Sequence, residues 1–178
     1  MQFFSRLFTT VAFGLAGSNL LATIMTPLPV EELGHRAEVI LHGVVLNKSC
    51  QHSPEGRIYT RVELQVTEVW KGSLTNATFT IVHSGGTVGN LRAQVSGQVK
   101  YSAGEEVVAF LLVSSRGEGV TLGLAQGKFH VWRDKVTGEK FAHNPFHGAM
   151  EPFATKPGQP SERLALKDLG ARTKAGQR

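Results

Sequence analysis

Cysteine is almost absent from the chain, since Cys50 is the only one among 178 residues. One cysteine excludes an internal disulfide framework and any zinc or iron–sulfur site built from several thiolates. A chain of this length can bury a sizeable core without such staples, and it suits one domain with short extensions. In an oxidising compartment, Cys50 is expected to be free or to bridge to another molecule.

The body of the chain also lacks a charge surplus. The formal net charge is +5, but residues 19–132 carry nine Lys/Arg against nine Asp/Glu, whereas residues 133–178 carry nine against five. Nucleic-acid binding needs basic residues concentrated on one face. Nucleic acid is therefore disfavoured as a partner, and a protein or a component of the cell envelope is favoured, without its identity being readable.

Long hydrophobic runs are missing as well, because the apolar stretch after Arg6 covers only residues 7–16. That length matches the apolar region of a secretory signal and is too short for a bilayer, which needs about 20 residues. We predict a signal peptide at residues 1–18, with Ala22 as an alternative cleavage point, and hence a secreted or periplasmic protein with no stable membrane span. The alternative is an anchor left uncleaved, since Leu20, Leu21 and Ile24 prolong the apolar stretch.

The best-patterned segment runs from Arg57 to Gly72 and alternates strictly between apolar and polar residues. Such a period of two is typical of a half-buried β-strand. One face carries Ile58, Thr60, Val62, Leu64 and Val66, and the other carries Tyr59, Arg61, Glu63, Gln65 and Thr67.

Other short apolar segments indicate further strands, separated by glycine-containing turns. Residues 39–46 and 107–113 are apolar on both faces, which is typical of strands in a closed barrel or beneath a covering layer. Residues 78–83, 120–124 and 128–132 alternate, residues 92–101 form a weaker candidate, and Phe141 ends the series. Residues 47–56 are predicted as a polar loop, and Gly43 as a bulge. The fold class is therefore mainly β, a small barrel of five to seven strands over residues 37–143.

The segments on either side of this barrel contain little β-pattern. Residues 19–36 are predicted as a linker followed by a short helix. Residues 144–178 are predicted as a proline-rich, basic tail with one short helix at residues 161–169, capped by Ser161 and ended by Gly170. We expect that helix to dock only loosely and the last eight residues to be disordered.

The order of these segments resembles a known group. A strand with the sequence Ala-Glu-Val-Ile-Leu-His-Gly-Val-Val is followed by a long strand ending Val-Trp-Lys-Gly, then by Thr-Phe-Thr-Ile-Val and Ala-Gly-Glu-Glu-Val-Val-Ala-Phe-Leu-Leu. Over residues 37–132 the chain resembles exported bacterial proteins of uncharacterised function. More remotely, it is similar to the oligonucleotide/oligosaccharide-binding (OB) barrel of the netrin and tissue-inhibitor-of-metalloproteinase modules. The resemblance implies an OB-like fold. The zinc-chelating N-terminal cysteine of those inhibitors is missing here, so their inhibitory device is not carried over.

The polar face of the long strand is the candidate ligand site, because OB barrels bind ligands on the face of their second and third strands. Tyr59 beside Arg61 could stack on a base or a sugar, Gln65 lies on the same polar face, and Trp132 could serve as a sugar platform. The alternative is an ordinary solvated sheet face, with Trp132 packed in the core or at its rim.

No set of residues indicates a reaction or a cofactor. His143 and His147 are four apart, a metal-ligand spacing on a helix, but Pro145 disfavours a helix there and only His130 is available as a third ligand. Glu105 and Glu106 are expected to be solvated turn charges. We therefore predict an exported, non-catalytic binding module. The alternatives are a secreted modulator or inhibitor of an extracellular protease and a metal-dependent hydrolase that uses the three histidines.

Overall fold

The computed structural model describes residues 26–148 and 163–176, and this part of the chain is mainly β with two helices. The predicted signal peptide and Ser161 lie outside the described residues. The elements are α1 (Val30–Arg36), β1 (Val39–His52), β2 (Ile58–Lys71), β3 (Thr78–Ser84), β4 (Gly86–Val88), β5 (Leu91–Ala93), β6 (Glu106–Val113), β7 (Gly119–Thr121), a 3-10 turn (Leu124–Gly127), β8 (Lys128–Arg133), β9 (Lys140–His143), β10 (Leu164–Ala165) and α2 (Leu166–Ala175).

Five strands form a ring of hydrogen-bonded pairs. β1 pairs antiparallel with both β2 and β6, and β2 pairs antiparallel with β3. β7 completes the ring, since it pairs parallel with β3 and antiparallel with β6. β8, β9 and β10 extend the sheet outward from β6, while β4 and β5 form a separate small hairpin.

Two hydrophobic cores lie on opposite faces of β1 and β6. The inner core, inside the ring, contains Leu41 and Ala109, whereas the outer core contains Ile40 and Phe110. Successive side chains of a strand point to opposite faces, so a strand between two cores must be apolar on both. This arrangement explains why residues 39–46 and 107–113 read as continuous apolar runs.

The two helices cover the outer core together. Leu33 of α1 and Leu169 of α2 are both fully buried in it, and Glu31 accepts a hydrogen bond of 2.7 Å from Arg172. The expectation of a loosely docked C-terminal helix within residues 161–169 is wrong. The helix begins at Leu166 and continues through Gly170, because β10 first adds residues 164–165 to the sheet beside β9.

The predicted loop at residues 47–56 is also wrong over its first half, since β1 continues to His52 and only a tight turn at residues 53–57 remains. β1 contains three register shifts against β2, and one of them, between His42 and Gly43, lies where an irregularity of the strand was predicted. Most of the predicted edge strand at residues 92–101 is not a strand, although its Val99 and Tyr101 are buried in the inner core. No helix in the described ranges is long and apolar enough to cross a membrane.

Candidate functional site

Two of the predicted ligand-binding residues lie beside a groove at one end of the ring, which we call the mouth groove. Tyr59 lines this groove, which has a volume of about 590 Å³, and Arg61 bonds Glu118, another lining residue. The lining mixes apolar side chains, such as Ile58 and Val82, with polar and charged ones. The lining comprises Ser53, Pro54, Glu55, Arg57, Ile58, Tyr59, Val82, His83, Ser84, Gln98, Arg116, Glu118, Val120, Thr121 and Leu124.

Two tight turns with the same hydrogen bonding flank the mouth groove. In the turn 53–57, the Ser53 amide donates to the carbonyl of Arg57 and the Gly56 amide donates to the carbonyl of Ser53. In the turn 114–118, the equivalent bonds join Ser114 to Glu118 and Gly117 to Ser114. Both glycines adopt the left-handed backbone conformation (φ 78° and 74°), which this turn geometry requires of its fourth residue. The sequences Ser-Pro-Glu-Gly-Arg and Ser-Ser-Arg-Gly-Glu therefore hold one arginine and one glutamate each in a defined position.

The rim of the mouth groove carries charges of both signs. Arg61 donates a hydrogen bond of 2.6 Å to Glu118, which balances that pair. Among the described residues, the guanidinium groups of Arg57 and Arg116 have no ion-pair or hydrogen-bond partner. Glu55 lies near both, and hydrogen bonds from the Ser53 hydroxyl and the Glu55 backbone amide, together with the two arginines, lower the pKa of its carboxyl. Two guanidinium groups and one carboxylate thus remain available to a partner.

The other two predicted ligand-binding residues lie elsewhere. Gln65 is exposed further along β2, where it pairs with Val44 and Thr78. Trp132 is buried on β8, with its ring stacked on Phe141 at 4.9 Å between centroids. Neither residue lines the mouth groove. The position of Trp132 agrees with the alternative that it packs in the core or at its rim.

The three candidate metal ligands do not form a cluster, and no group of three His, Cys, Asp or Glu side chains in the described residues could hold a metal ion. His130 and His143 face each other across β8 and β9. His143 bonds the carbonyl of Gly148 through Nδ1, and His147 bonds the carbonyl of Leu28 through Nε2. Those two histidines tie the segment around residue 145 to the rest of the fold.

Glu105 and Glu106 are half-buried, so the expectation of solvated charges is wrong. Glu106 Oε1 lies 2.7 Å from His42 Nε2 and 2.6 Å from Lys140 Nζ. Burial raises the pKa of Glu106, but the bonds from Lys140 and His42 outweigh it and bring the pKa below its ordinary value. Glu105, the residue before β6, has different partners, since its carboxylate bonds Lys128 and His130. The sequence offered no direct signal for these pairs, because their partners lie 23 to 64 residues away.

A second groove, of about 690 Å³, lies next to the mouth groove and shares its walls at His83, Ser84 and Gln98. We call it the Cys50 groove. It is lined by Lys48, Cys50, Thr60, residues 83–87 and residues 92–102. The Cys50 thiol lies 3.5 Å from the Thr60 hydroxyl, which itself donates to the Gly85 carbonyl. This contact, the Thr87 amide and the positive charge of Lys48 lower the pKa of the Cys50 thiol.

No protein-family model matches this chain, and no curated protein matches it significantly.

Proposed function

We propose that this protein is an exported, non-catalytic binding module built on a five-stranded barrel of OB type. Support for the barrel comes from the ring order β1-β2-β3-β7-β6, with the parallel pair β3–β7 as its closing contact. Support for export comes from the apolar segment at residues 7–16 and the small residues that follow it.

The mouth groove is the proposed binding site. An OB barrel binds ligands on the face of its second and third strands and with the loops that join strands 1–2 and 4–5. In ring order these loops correspond to the turns 53–57 and 114–118. The observation that carries the proposal is that both turns and Tyr59 line one groove.

The partner we propose is a segment of another protein. The groove combines apolar side chains, such as Val82 and Val120, with charges of both signs, and specific protein interfaces have such a mixture. Tyrosine and arginine are the residue types that most often dominate binding energy at such interfaces, and here Tyr59, Arg57 and Arg116 fill those roles. A rim that includes Glu55 suits a polypeptide of mixed charge better than a uniformly anionic polymer.

The test is capture of partners from culture fluid and envelope extracts, followed by a direct affinity measurement with each purified partner. The variant Tyr59→Ala/Arg116→Glu should weaken binding at least tenfold, since loss of one central contact typically costs more than 1 kcal/mol. Lys135→Glu, on the exposed turn after β8 and outside the groove, is the matched charge-reversal control and should bind normally. Equal affinity of both variants would remove the mouth groove from the proposal. Intact mass of the exported chain tests cleavage after residue 18 or near Ala22.

A further inference from the structure

We propose that the Cys50 groove is a second binding site, which takes an acidic saccharide, that is, a sugar chain carrying carboxylate or phosphate groups. The proposal rests on residues outside the turns that form the proposed protein-binding site. It therefore stands or fails separately from that function.

The described lining of the Cys50 groove carries positive charge only. It contains Lys48, Arg92 and Lys100 and, within the described residues, no aspartate or glutamate. Acids and bases are balanced over residues 19–132 as a whole, so this is a local separation of charge. Glu105 reaches the rim, where it accepts a 3.0 Å hydrogen bond from the Ser102 amide, but Lys128 balances its charge. A cleft lined by one sign of charge concentrates ligands of the opposite sign.

The cationic groups are also available to a ligand. The side chains of Arg92 and Lys100 are exposed and have no hydrogen-bond or ion-pair partner among the described residues. Lys48 Nζ donates one bond, of 3.1 Å, to the carbonyl of Tyr101, and an ammonium group can donate three. The anionic groups of a ligand would meet at least two fully available cations.

The neutral part of the lining indicates what else the ligand must offer. It is dominated by hydroxyl and amide side chains that donate and accept hydrogen bonds, namely Ser84, Thr87, Gln94, Ser96, Gln98 and Ser102. Such a lining matches a ligand rich in hydroxyl groups. Tyr101 is buried, at 1% exposure, and the groove has no other Phe, Tyr or Trp in its described lining, so the stacking platform that nucleic-acid bases use is missing. A volume of about 690 Å³ suits a short oligosaccharide.

Cys50 supplies a built-in probe, because it is the only thiol and lies in the groove. Ellman's reagent is a dianionic disulfide, and 2,2′-dithiodipyridine is a neutral one. The ratio of their reaction rates with Cys50 measures the local potential, after correction with a small thiol. We expect Arg92→Gln/Lys100→Gln to reduce this ratio roughly tenfold at low salt. The control Lys135→Gln/Lys174→Gln removes the same net charge from exposed positions outside the groove and should leave the ratio unchanged.

Binding is then measured as protection of Cys50 from the neutral reagent, at constant ionic strength. Oligogalacturonate tests the carboxylate form and a phosphorylated oligomannoside the phosphate form, with maltohexaose as the neutral sugar and tripolyphosphate as the anion without a sugar. The proposal is supported if either acidic saccharide protects Cys50 at concentrations where maltohexaose and tripolyphosphate do not. This protection should be lost in Arg92→Gln/Lys100→Gln and kept in Lys135→Gln/Lys174→Gln. Absence of protection by both acidic saccharides at millimolar concentration overturns it, as does equal protection by tripolyphosphate or maltohexaose. Circular dichroism of each variant shows whether the fold is intact. If Arg92→Gln/Lys100→Gln does not fold, the same measurements are made with the single variant Lys100→Gln.

Discussion

Replacing Leu169 with alanine tests whether the C-terminal helix belongs to the folded domain. Leu169 is fully buried in the outer core, where α2 packs against α1, β9 and β10. Truncation of a buried leucine to alanine costs about 2–5 kcal/mol, from lost burial and the cavity left behind. Because α2 lies at the edge of that core and can relax inward, we expect about 2–3 kcal/mol. For a domain of this size, the melting temperature should fall by roughly 5–10 °C.

The assay is urea unfolding followed by the fluorescence of Trp70 and Trp132, with the slope of the transition compared between variants. Leu91→Ala is the matched control, since the same side chain is 61% exposed on β5 and its removal should change the free energy of unfolding by no more than about 0.5 kcal/mol. If Leu169→Ala cost as little as Leu91→Ala, the helix would be a dispensable appendage and the two-helix cover of the outer core would be refuted.

Two further perturbations address the charged pairs and the Cys50 groove. The folded-state pKa of Glu106 lies below its ordinary value, since the bond from Lys140 outweighs burial. The ionised Glu106 carboxyl therefore stabilises the fold above about pH 4.3, and this stabilisation is lost as the pH falls through the folded-state pKa. The urea midpoints at pH 7 and pH 3 should therefore differ less for Glu106→Gln than for the wild type. Gly86→Ala would place its Cβ 2.6 Å from Cys50 Sγ and 2.8 Å from Thr60 Oγ1, at φ 139°. It should lower the free energy of unfolding by about 1–3 kcal/mol and alter the rate of thiol modification.

Each of these two predictions has an outcome that contradicts it. An unchanged pH dependence in Glu106→Gln would mean that the carboxyl gains nothing from its partners in the folded state. Gly89→Ala is the control for Gly86→Ala, because that glycine also has a positive φ (56°) but nothing lies within 4 Å of its added Cβ. If both alanine variants lost the same stability, backbone strain alone would explain the loss and the contact with Cys50 would be irrelevant.

The sequence predicted secondary structure and burial correctly where the pattern of apolar residues in a segment allowed only one interpretation. The alternation from Ile58 to Leu64 predicted both the strand and its buried face, and the two-sided apolar runs at residues 39–46 and 107–113 predicted strands with apolar surroundings on both faces. The second core that explains them was not readable, because three of its ten buried residues come from helices at residues 30–36 and 166–175, which lie far apart in the sequence.

The failures share a physical cause, which is tertiary pairing that overrides local composition. Residues 47–52 are polar and look like a loop, yet they pair with β2 along their whole length. Residues 164–165 look like part of a helix, yet they add to the sheet because β9 offers them a free edge. For the candidate site, Tyr59 and Arg61 were found on their own strand. The arginine of the turn 114–118 was missed, because only the closed ring brings that turn to the same groove.

The docking of α2 against α1 has a consequence for biosynthesis. Residues 166–175 emerge from the ribosome after every other described element, so the part of the outer core that Leu169 covers, beside Leu33 of α1, stays exposed until then. An incomplete chain with such an exposed apolar surface is marginally stable and attracts chaperones. We therefore expect native folding to be completed only when synthesis of this domain is nearly finished. A protein that passes through a secretion channel as an extended chain would gain from that delay.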